Sequence, residues 1–393
     1  MESTKKFNWT FSLKLAFLYT LAKLKFIHAF LPDSLNDQLP TGWNNEMFWM
    51  ALKSGGSKIY YDYYSRLKHP KSYNPKTSVD PQFELSEGDI KFFYENGYLG
   101  PFDLMSSDEA EKLRDYLVNS VVKLESKTLS LKAGDYEFDT ENKINDDIFS
   151  ENANKPTEEG KKYFVDRMNS FNRHLDEPKL IDLFKHPAII ERCAQIVGSD
   201  LILWRSRFFE IPPYTEGTKF HQASTWLYEN QKESVANPPD PDELYQVTAW
   251  IALTDATIEN GCMKLIPGSH KEIYPVLLGK KRTEIHNNAY GNREGKLDYP
   301  IETAEIRPIE MKAGQFFLFC ERVLHGSFDN KTDASRWAIN GRIARPDPRF
   351  YTEKMLNNSH QVKYFSIKKL KLDNWKAVLV RGEDHFGYNR LLK

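Results

Sequence analysis

Between residues 201 and 344 the sequence divides into short segments rich in Val, Ile, Phe and Trp, bounded by Pro, Gly or Asn. The segments with the length and side-chain content of strands are Leu201–Ile211, Val247–Leu253, Met263–Ile266, Glu305–Met311, Phe316–Leu324 and Arg336–Ala344. Such closely spaced strands are typical of a barrel or sandwich. Because helical segments come earlier in the chain, we expect them to cover one face of the sheets. The predicted fold is an all-β core with flanking helices (α+β), a double-stranded β-helix or jelly roll.

Two helices are predicted at the entrance to this core. Ser86 begins the first, which ends at Gly97, and Ser106 begins a longer segment that runs to Leu124. The polar and weakly periodic stretch from Glu125 to about Glu159 is interpreted as a surface loop.

The stretch His69–Pro75 contains two prolines and is interpreted as a linker. We therefore expect an N-terminal helical extension over residues 1–80 and a jelly-roll domain over 81–350. A C-terminal extension over 351–393 is expected to pack on the core.

Part of the N-terminal region, Phe11–Phe30, is mostly apolar. Its interruptions are Lys14, Lys23, Lys25 and His28. The uncharged run Leu15–Ala22 is far shorter than the roughly 20 residues that cross a bilayer, so no transmembrane span is expected. One interpretation is a helix packed on the domain with its lysines reaching solvent, and this is favoured because apolar stripes usually face a core. The other is a basic amphipathic helix that contacts a membrane or a partner.

The overall composition is that of an ordinary soluble protein, with 40% hydrophobic residues and 54 Lys and Arg against 55 Asp and Glu. This balance excludes a disordered, a collagen-like or a strongly basic nucleic-acid-binding chain. Cys193, Cys262 and Cys320 lie far apart without a C-x-x-C spacing, which argues against a disulfide framework and a thiolate zinc site. A reducing, cytoplasmic location is expected.

Two of the ten histidines stand beside predicted strands, His221 after one and His325 at the end of another. A non-haem iron site needs two imidazoles, normally a carboxylate, and open positions for co-substrate and oxygen. Either histidine alone would be an ordinary structural residue. However, Arg336 follows His325 by eleven residues, and its planar guanidinium suits a bidentate carboxylate.

The segment Trp250–Lys271 reads WIALTDATIENGCMKLIPGSHK, which predicts a strand, an Asn-Gly turn, a second strand and a Pro-Gly-Ser-His turn. This segment stands together with HQ at 221–222 and HGS at 325–327, with an arginine eleven residues on from His325. The set closely resembles the phytanoyl-CoA dioxygenase family of iron(II)- and 2-oxoglutarate-dependent oxygenases. The resemblance covers roughly residues 85 to 346.

The resemblance implies that His221 and His325 bind iron(II). It also implies that Arg336 pairs with the distal carboxylate of 2-oxoglutarate, with Ser327 helping to hold it. Trp250 lies on the strand that lines the co-substrate pocket in the family.

Three further residues are assigned less directly. Thr218 could add a hydroxyl to the same carboxylate. Arg342 competes with Arg336 as the carboxylate clamp, but the spacing from His325 favours Arg336, so Arg342 is interpreted as a strand-end or supporting arginine. His270 in the PGSH turn is expected to be structural.

The sequence departs from the family at one position. The family's metal motif is H-x-D, whereas this chain reads His221-Gln222-Ala223. Alanine cannot ligate iron, so the site lacks one negative charge and has an open position that a halide could fill. The same replacement marks the non-haem iron halogenases, whose motif is H-x-A or H-x-G. The resemblance thus implies that Ala223 is the catalytic position where chloride binds. It also implies that iron(II), 2-oxoglutarate and O2 are the other cofactors.

The expected function is chlorination of an unactivated aliphatic carbon in a natural-product precursor, either free or tethered to a carrier protein. The alternatives are an inactive jelly-roll binding protein and a hydroxylase that recruits another carboxylate. Glu229 lies eight residues past His221, and Glu321 lies four before His325, which in an extended strand would span about 13 Å. Neither is expected to replace the missing aspartate.

Overall fold

The structure, a computed structural model, describes residues 7–124, 136–138, 168–229, 232–281, 293–358, 360–362 and 367–392. Its α-helices are α1 (Trp9–Lys23), α2 (Asp33–Asn36), α3 (Asn45–Lys53), α4 (Glu87–Asn96), α5 (Ser107–Leu117), α6 (Pro178–Phe184), α7 (Pro187–Val197) and α8 (Glu353–Asn358). A π-helical turn, Val118–Val122, extends α5. The short 3-10 helices are Lys25–Phe30, Pro81–Phe83, Arg173–Leu175, Leu227–Glu229, Ser269–Lys271 and Ile301–Thr303. None of the helices within these ranges is long and apolar enough to cross a membrane.

The strands fall mostly in the second half of the chain. They are β1 (Lys58–Ile59), β2 (Tyr98–Asp103), β3 (Tyr136–Phe138), β4 (Leu201–Ile211), β5 (Ala236–Asn237), β6 (Gln246–Ala252), β7 (Met263–Ile266), β8 (Val276–Lys281), β9 (Arg293–Leu297), β10 (Arg307–Ile309), β11 (Gln315–Phe319), β12 (Leu324–Ser327), β13 (Arg336–Ala344), β14 (Arg349–Phe350), β15 (His360–Val362), β16 (Ile367–Leu370) and β17 (Val378–Arg381).

Two antiparallel sheets form the core. The larger has the strand order β17-β4-β13-β6-β11-β2, and the smaller has the order β10-β7-β12. Side chains of β6 alternate between the two faces of the larger sheet. Val247 and Ile251 join the core shared with the helices, whereas Trp250 and Ala252 join the core shared with the smaller sheet. This double-sheet sandwich with helices on its outer face corresponds to the predicted jelly roll.

One predicted strand is wrong. The run Phe316–Leu324 is divided between β11 and β12, because a turn intervenes in which the Val323 N–H donates to the Cys320 carbonyl at 2.9 Å. The turn sends β11 into the larger sheet and β12 into the smaller one. The bounds predicted for β4, β7 and β13 agree with the structure.

The predicted helix starts are confirmed. The Ser86 hydroxyl accepts from the Asp89 N–H, and the Asp89 carboxylate accepts in turn from the Ser86 N–H, which forms a capping box. Ser106 and Glu109 form the same arrangement at the start of α5. Helix α4 ends at Gly97, whose φ of 85° suits a residue without a Cβ. Of the stretch interpreted as a loop, Glu125–Glu159, all but strand β3 lies outside the described residues.

The helices nearest the start of the sequence pack against the jelly roll. Leu15 on α1 and Met47 on α3 share a buried cluster with Leu227, in the 3-10 helix that follows β4, and with Ile273, between β7 and β8. At the other end of the chain, β17 adds to the edge of the larger sheet beside β4. The boundaries at residues 80 and 350 stay a prediction. The three described cysteines are buried and free.

Candidate active site

His221 and His325 face each other across two neighbouring segments. The backbone N–H of each donates to the carbonyl of the other, at 3.0 and 3.1 Å, and the ring centroids lie 4.2 Å apart. The same pairing continues at Ser327, whose N–H donates to the Thr218 carbonyl at 3.0 Å. The register of β12 against residues 218–221 therefore brings together two imidazoles that are distant in sequence.

Hydrogen bonds fix the tautomer of each histidine. The His221 Nδ1 lies 2.9 Å from the Lys219 carbonyl, and the His325 Nδ1 lies 2.7 Å from the Val323 carbonyl. A carbonyl only accepts, so each Nδ1 carries the proton and each Nε2 keeps its lone pair. This second hydrogen bond is the usual orienting contact of a metal-binding histidine.

Both imidazoles are held neutral. Burial, reinforced by the neighbouring His325, lowers the pKa of His221 to about 3. Burial also lowers the pKa of His325, against the opposing effect of Glu321. Neutral imidazole is the form that binds a metal, so the pair is ready to coordinate a cation at neutral pH.

Ala223 follows His221 by two residues and carries only a methyl group. It is buried in the same apolar cluster as Trp204 and Trp226, and its N–H donates to the Glu321 carbonyl at 2.9 Å. Across the described ranges, no three His, Cys, Asp or Glu side chains are grouped so that they could hold a metal ion. The described site is therefore a pair of histidines without a third protein ligand.

Glu321 is near enough to His221 and His325 to affect the pKa of both. The span of about 13 Å expected from the sequence assumed a continuous strand, but Glu321 is in the turn between β11 and β12. Its carboxylate accepts from the Thr248 hydroxyl at 2.9 Å and pairs with the Arg342 Nε at 3.0 Å. Burial raises its pKa, but Arg342 and His325 outweigh that effect and hold the pKa below the ordinary value. Glu321 is thus a buried anion beside the histidines, already bound by other groups.

The other carboxylate that was considered, Glu229, is also committed. One of its oxygens lies 2.8 Å from the Arg205 Nη1 and the other 3.0 Å from the His360 Nε2. Burial raises the pKa of Glu229, yet Arg205 and His360 bring it to about 2. This buried network holds the 3-10 helix at Leu227–Glu229 rather than serving the histidine pair.

Arg336 is a buried cation with donor capacity to spare. Its Nε donates to the Gly261 carbonyl at 3.2 Å, and its guanidinium lies 5.2 Å from the centre of the Trp250 ring. The Nη1 atom is buried without a hydrogen-bond partner. Burial lowers its pKa to about 10, which still leaves it charged at neutral pH. An unused buried donor of this kind fits a carboxylate ligand. Arg342 also has buried nitrogens without a hydrogen-bond partner, Nε and Nη1, but it differs from Arg336 in that it already forms an ion pair with Glu321.

The Ser327 side chain contacts the backbone of Thr218. The buried Ser327 hydroxyl accepts from the Thr218 N–H at 2.8 Å, which leaves its own proton free to donate. The Thr218 side chain itself is exposed. The glycine between His325 and Ser327 is required by this close approach, since a Cβ on Gly326 would lie 2.4 Å from the Thr218 carbonyl.

The sequence model of the phytanoyl-CoA dioxygenase (PhyH) family matches residues 93–338. This is more than half of the chain, and it includes the histidine pair, Ala223 and Arg336. The chain belongs to the phytanoyl-CoA dioxygenase family. It is accordingly an oxygenase-type enzyme whose cofactors are iron(II) and 2-oxoglutarate.

Relatives in the family cover about two thirds of this chain. Phytanoyl-CoA dioxygenase 1 of Oryza sativa subsp. japonica is 25% identical over 285 residues, 66% of this chain and 89% of the rice protein. Phytanoyl-CoA dioxygenase of Arabidopsis thaliana is 26% identical over 286 residues, 67% of this chain and 90% of that protein. The solved structure of "CytC3 with Fe(II) and alpha-ketoglutarate" shares the fold, with a TM-score of 0.53 and 22% identity over 79% of this chain and 93% of that one.

In this member of the family, the residue between His221 and Ala223 is an anchor that the sequence did not reveal. The Gln222 Nε2 donates to the carbonyls of Arg322 and Glu272, at 2.6 and 2.9 Å. Its Oε1 accepts from the Tyr274 N–H at 2.9 Å. Gln222 therefore fixes the segment that carries both His221 and Ala223.

A second anchor comes from the region before the jelly roll. The buried Asp62 carboxylate accepts from the backbone N–H of Ser224 at 2.6 Å, of Leu227 at 3.1 Å and of Thr225 at 3.2 Å. It also accepts from the Thr225 hydroxyl at 2.8 Å. Burial raises the pKa of Asp62, while these donors oppose the rise. The signal available in the sequence was a single acid inside the aromatic run Tyr60–Tyr64.

Asp62→Asn is expected to lower the free energy of unfolding by about 2–4 kcal/mol, because an amide nitrogen cannot accept and each buried donor left unpaired costs about 1–3 kcal/mol. Urea unfolding measures this loss. The control is Asp37→Asn, since Asp37 is 74% exposed and pairs with Lys232 on the surface. That change should cost less than about 1 kcal/mol, and equal losses in the two variants would contradict the anchoring role of Asp62.

Proposed function

We propose that this chain is an iron(II)- and 2-oxoglutarate-dependent halogenase that chlorinates an unactivated aliphatic carbon of a small natural-product precursor. The observation that carries the proposal is Ala223. It stands where the family motif H-x-D has its carboxylate, while both histidines keep the geometry and protonation of metal ligands.

In this proposal the two Nε2 atoms of His221 and His325 hold the iron. Arg336, helped by Ser327, holds the distal carboxylate of 2-oxoglutarate, and chloride lies beside Ala223. Bound iron, 2-oxoglutarate and O2 together supply the oxidising power needed to break an unactivated C–H bond. The protein supplies the arrangement around them.

The surrounding side chains favour an external anion at Ala223. Two neutral imidazoles leave the charge of a divalent cation largely uncompensated, and the methyl group leaves room for an inorganic ion. The carboxylate of Glu321 accepts a hydrogen bond from Thr248 and is paired with Arg342, which offsets its negative charge, so in this proposal it is not a metal ligand. The apolar surroundings of Ala223, which include Trp204 and Trp226, limit the access of water.

Mass spectrometry of the products tests the proposal directly. The purified chain is incubated with iron(II), 2-oxoglutarate, O2 and a panel of free and carrier-tethered small molecules, with chloride in one series and bromide in a parallel one. We expect a product with the isotope pattern of chlorine, replaced by that of bromine in the second series. A product that gains only oxygen in both series would contradict halogenation.

Hydroxylation by the same fold is the second candidate, and the position of Glu321 favours it. That buried carboxylate is close enough to affect the pKa of both histidines. If it replaced the missing aspartate, the oxygenated product would dominate and would not depend on halide. Glu321→Gln would then abolish iron binding, whereas in the halogenase it should leave the two-histidine site able to bind metal.

A further inference from the structure

Helix α1 is apolar on both of its faces. Leu15 and Leu18 are buried against the rest of the protein. On the other side, Trp9, Leu13 and Phe17 follow one another at a spacing of four, and they are 72%, 70% and 59% exposed. Residues spaced by four share one face of a helix. A helix that is apolar all round is normally covered all round, so this face indicates a partner.

The exposure continues beyond the helix. Leu24 is 38% exposed, and the following 3-10 helix, Lys25–Phe30, contains no buried residue. Phe26 and Phe30 in it are 74% and 86% exposed. We call the set Trp9, Leu13, Phe17, Leu24, Phe26 and Phe30 the N-terminal apolar face. Soluble proteins rarely expose so much contiguous apolar chain unless it binds something.

The segment that carries this face is basic in sequence, although two exposed acidic residues, Asp33 and Asp37, follow it. The sequence from Ser3 to Pro32 contains five lysines and neither Asp nor Glu, although the whole chain has a net charge of only −1. Lys23 and Lys25 are exposed at the junction of α1 and the 3-10 helix. The partner that complements the N-terminal apolar face is therefore apolar in its interior and negatively charged at its surface.

We propose that the N-terminal apolar face docks the protein on an anionic lipid surface. Trp, Phe and Leu are the side chains that interfacial amphipathic helices bury at the boundary between headgroups and acyl chains, and flanking lysines bind anionic headgroups. A second copy of the chain fits less well, because a two-fold interface would set the same lysines against each other. The buried side of α1 meanwhile keeps the jelly roll fixed above the surface.

Flotation of the full chain with lipid vesicles tests this docking. The vesicles are phosphatidylcholine alone or phosphatidylcholine with about 30% phosphatidylserine. We expect the protein to float with the anionic vesicles at least about tenfold more than with the neutral ones, and to be released by high salt, because exposed charge interactions are screened.

Two double variants, Leu13→Glu with Phe17→Glu and Phe26→Glu with Phe30→Glu, should each reduce flotation about tenfold or more while leaving the melting temperature unchanged, because the altered side chains are exposed. The matched control is Ile258→Glu with Ile306→Glu, which changes side chains that are 46% and 40% exposed elsewhere on the protein. The control should float like the unaltered chain.

Several outcomes would overturn the proposal. The first is an unaltered chain that floats with neither kind of vesicle, and the second is one that floats equally well with neutral and anionic vesicles. The third is a control variant that loses as much flotation as the two double variants. A dimer in size-exclusion chromatography that the first double variant dissociates, without any flotation, would assign the face to a second copy instead.

Discussion

Replacing Ala223 with aspartate is expected to abolish chlorination. The new carboxylate would occupy the position proposed for chloride, and it would also repel the halide. Two unit charges about 4 Å apart interact by about 4 kcal/mol at an effective dielectric constant of 20, which corresponds to an approximately 1000-fold loss of halide affinity. Product mass spectrometry with chloride measures the result, and a shift from chlorinated to hydroxylated product is the expected signature.

The matched control for this change is Ala223→Gly, which keeps the position free of any ligand. It should retain chlorination, because the vacancy rather than the methyl group is what the halide needs. Iron(II) binding is measured for all three proteins, so that a misfolded variant is recognised. Full halogenating activity in the aspartate variant would exclude chloride from this position.

Replacing Arg336 with alanine is expected to raise the 2-oxoglutarate requirement steeply. Removing one partner of a buried, hydrogen-bonded charge pair costs about 2–5 kcal/mol, which corresponds to a roughly 30- to 5000-fold weaker affinity. The dissociation constant of 2-oxoglutarate, measured by anaerobic titration of the iron-loaded enzyme, checks this. The effect should appear in that constant rather than in iron binding, since the contacts that Arg336 makes are with the Trp250 ring and the Gly261 carbonyl.

The variant Arg336→Lys distinguishes the contribution of the positive charge from that of the planar guanidinium. Lysine keeps the charge but loses the planar fork, so an intermediate affinity is expected. If the alanine variant bound 2-oxoglutarate as well as the unaltered chain does, the clamp would have to be Arg342. Arg342 pairs with Glu321 at 3.0 Å, and its Nη1 is buried without a hydrogen-bond partner, so it has a donor left for that role.

Much of the fold was predictable because its signals are local. A pattern of only a few neighbouring residues predicts the serine caps of α4 and α5, and the same holds for strands β4, β7 and β13. The turn between β11 and β12 was missed because Cys320–Val323 contains no Gly, Pro or Asn to mark it. It ends the strand through a hydrogen bond and the burial of Glu321, and neither is visible in a linear pattern.

The candidate site divides in the same way. His221, His325 and Arg336 could be selected because their spacing forms a motif. Asp62 could not be selected, since its partners lie more than 160 residues away along the chain. The packing of the folded chain determines which carboxylate pairs with which buried N–H group. A single sequence does not reveal these pairings.

The interpretation of the segment Phe11–Phe30 shows a further limit. The sequence offered a packed helix and a surface-binding helix as alternatives. In the structure α1 packs with one side and stays exposed on the other. Periodicity identifies an apolar stripe, but it does not say how many such stripes a short helix presents.

The position of Asp62 has a practical consequence for protein engineering. A shortened expression clone that began at His69–Pro75, the segment predicted to be a linker, would discard the acceptor of the 224–227 amides, even though it kept the entire family-matched range. Grafting this jelly roll into a chimeric enzyme, or screening libraries at Ala223, would therefore require carrying along the upstream residues that brace the loop.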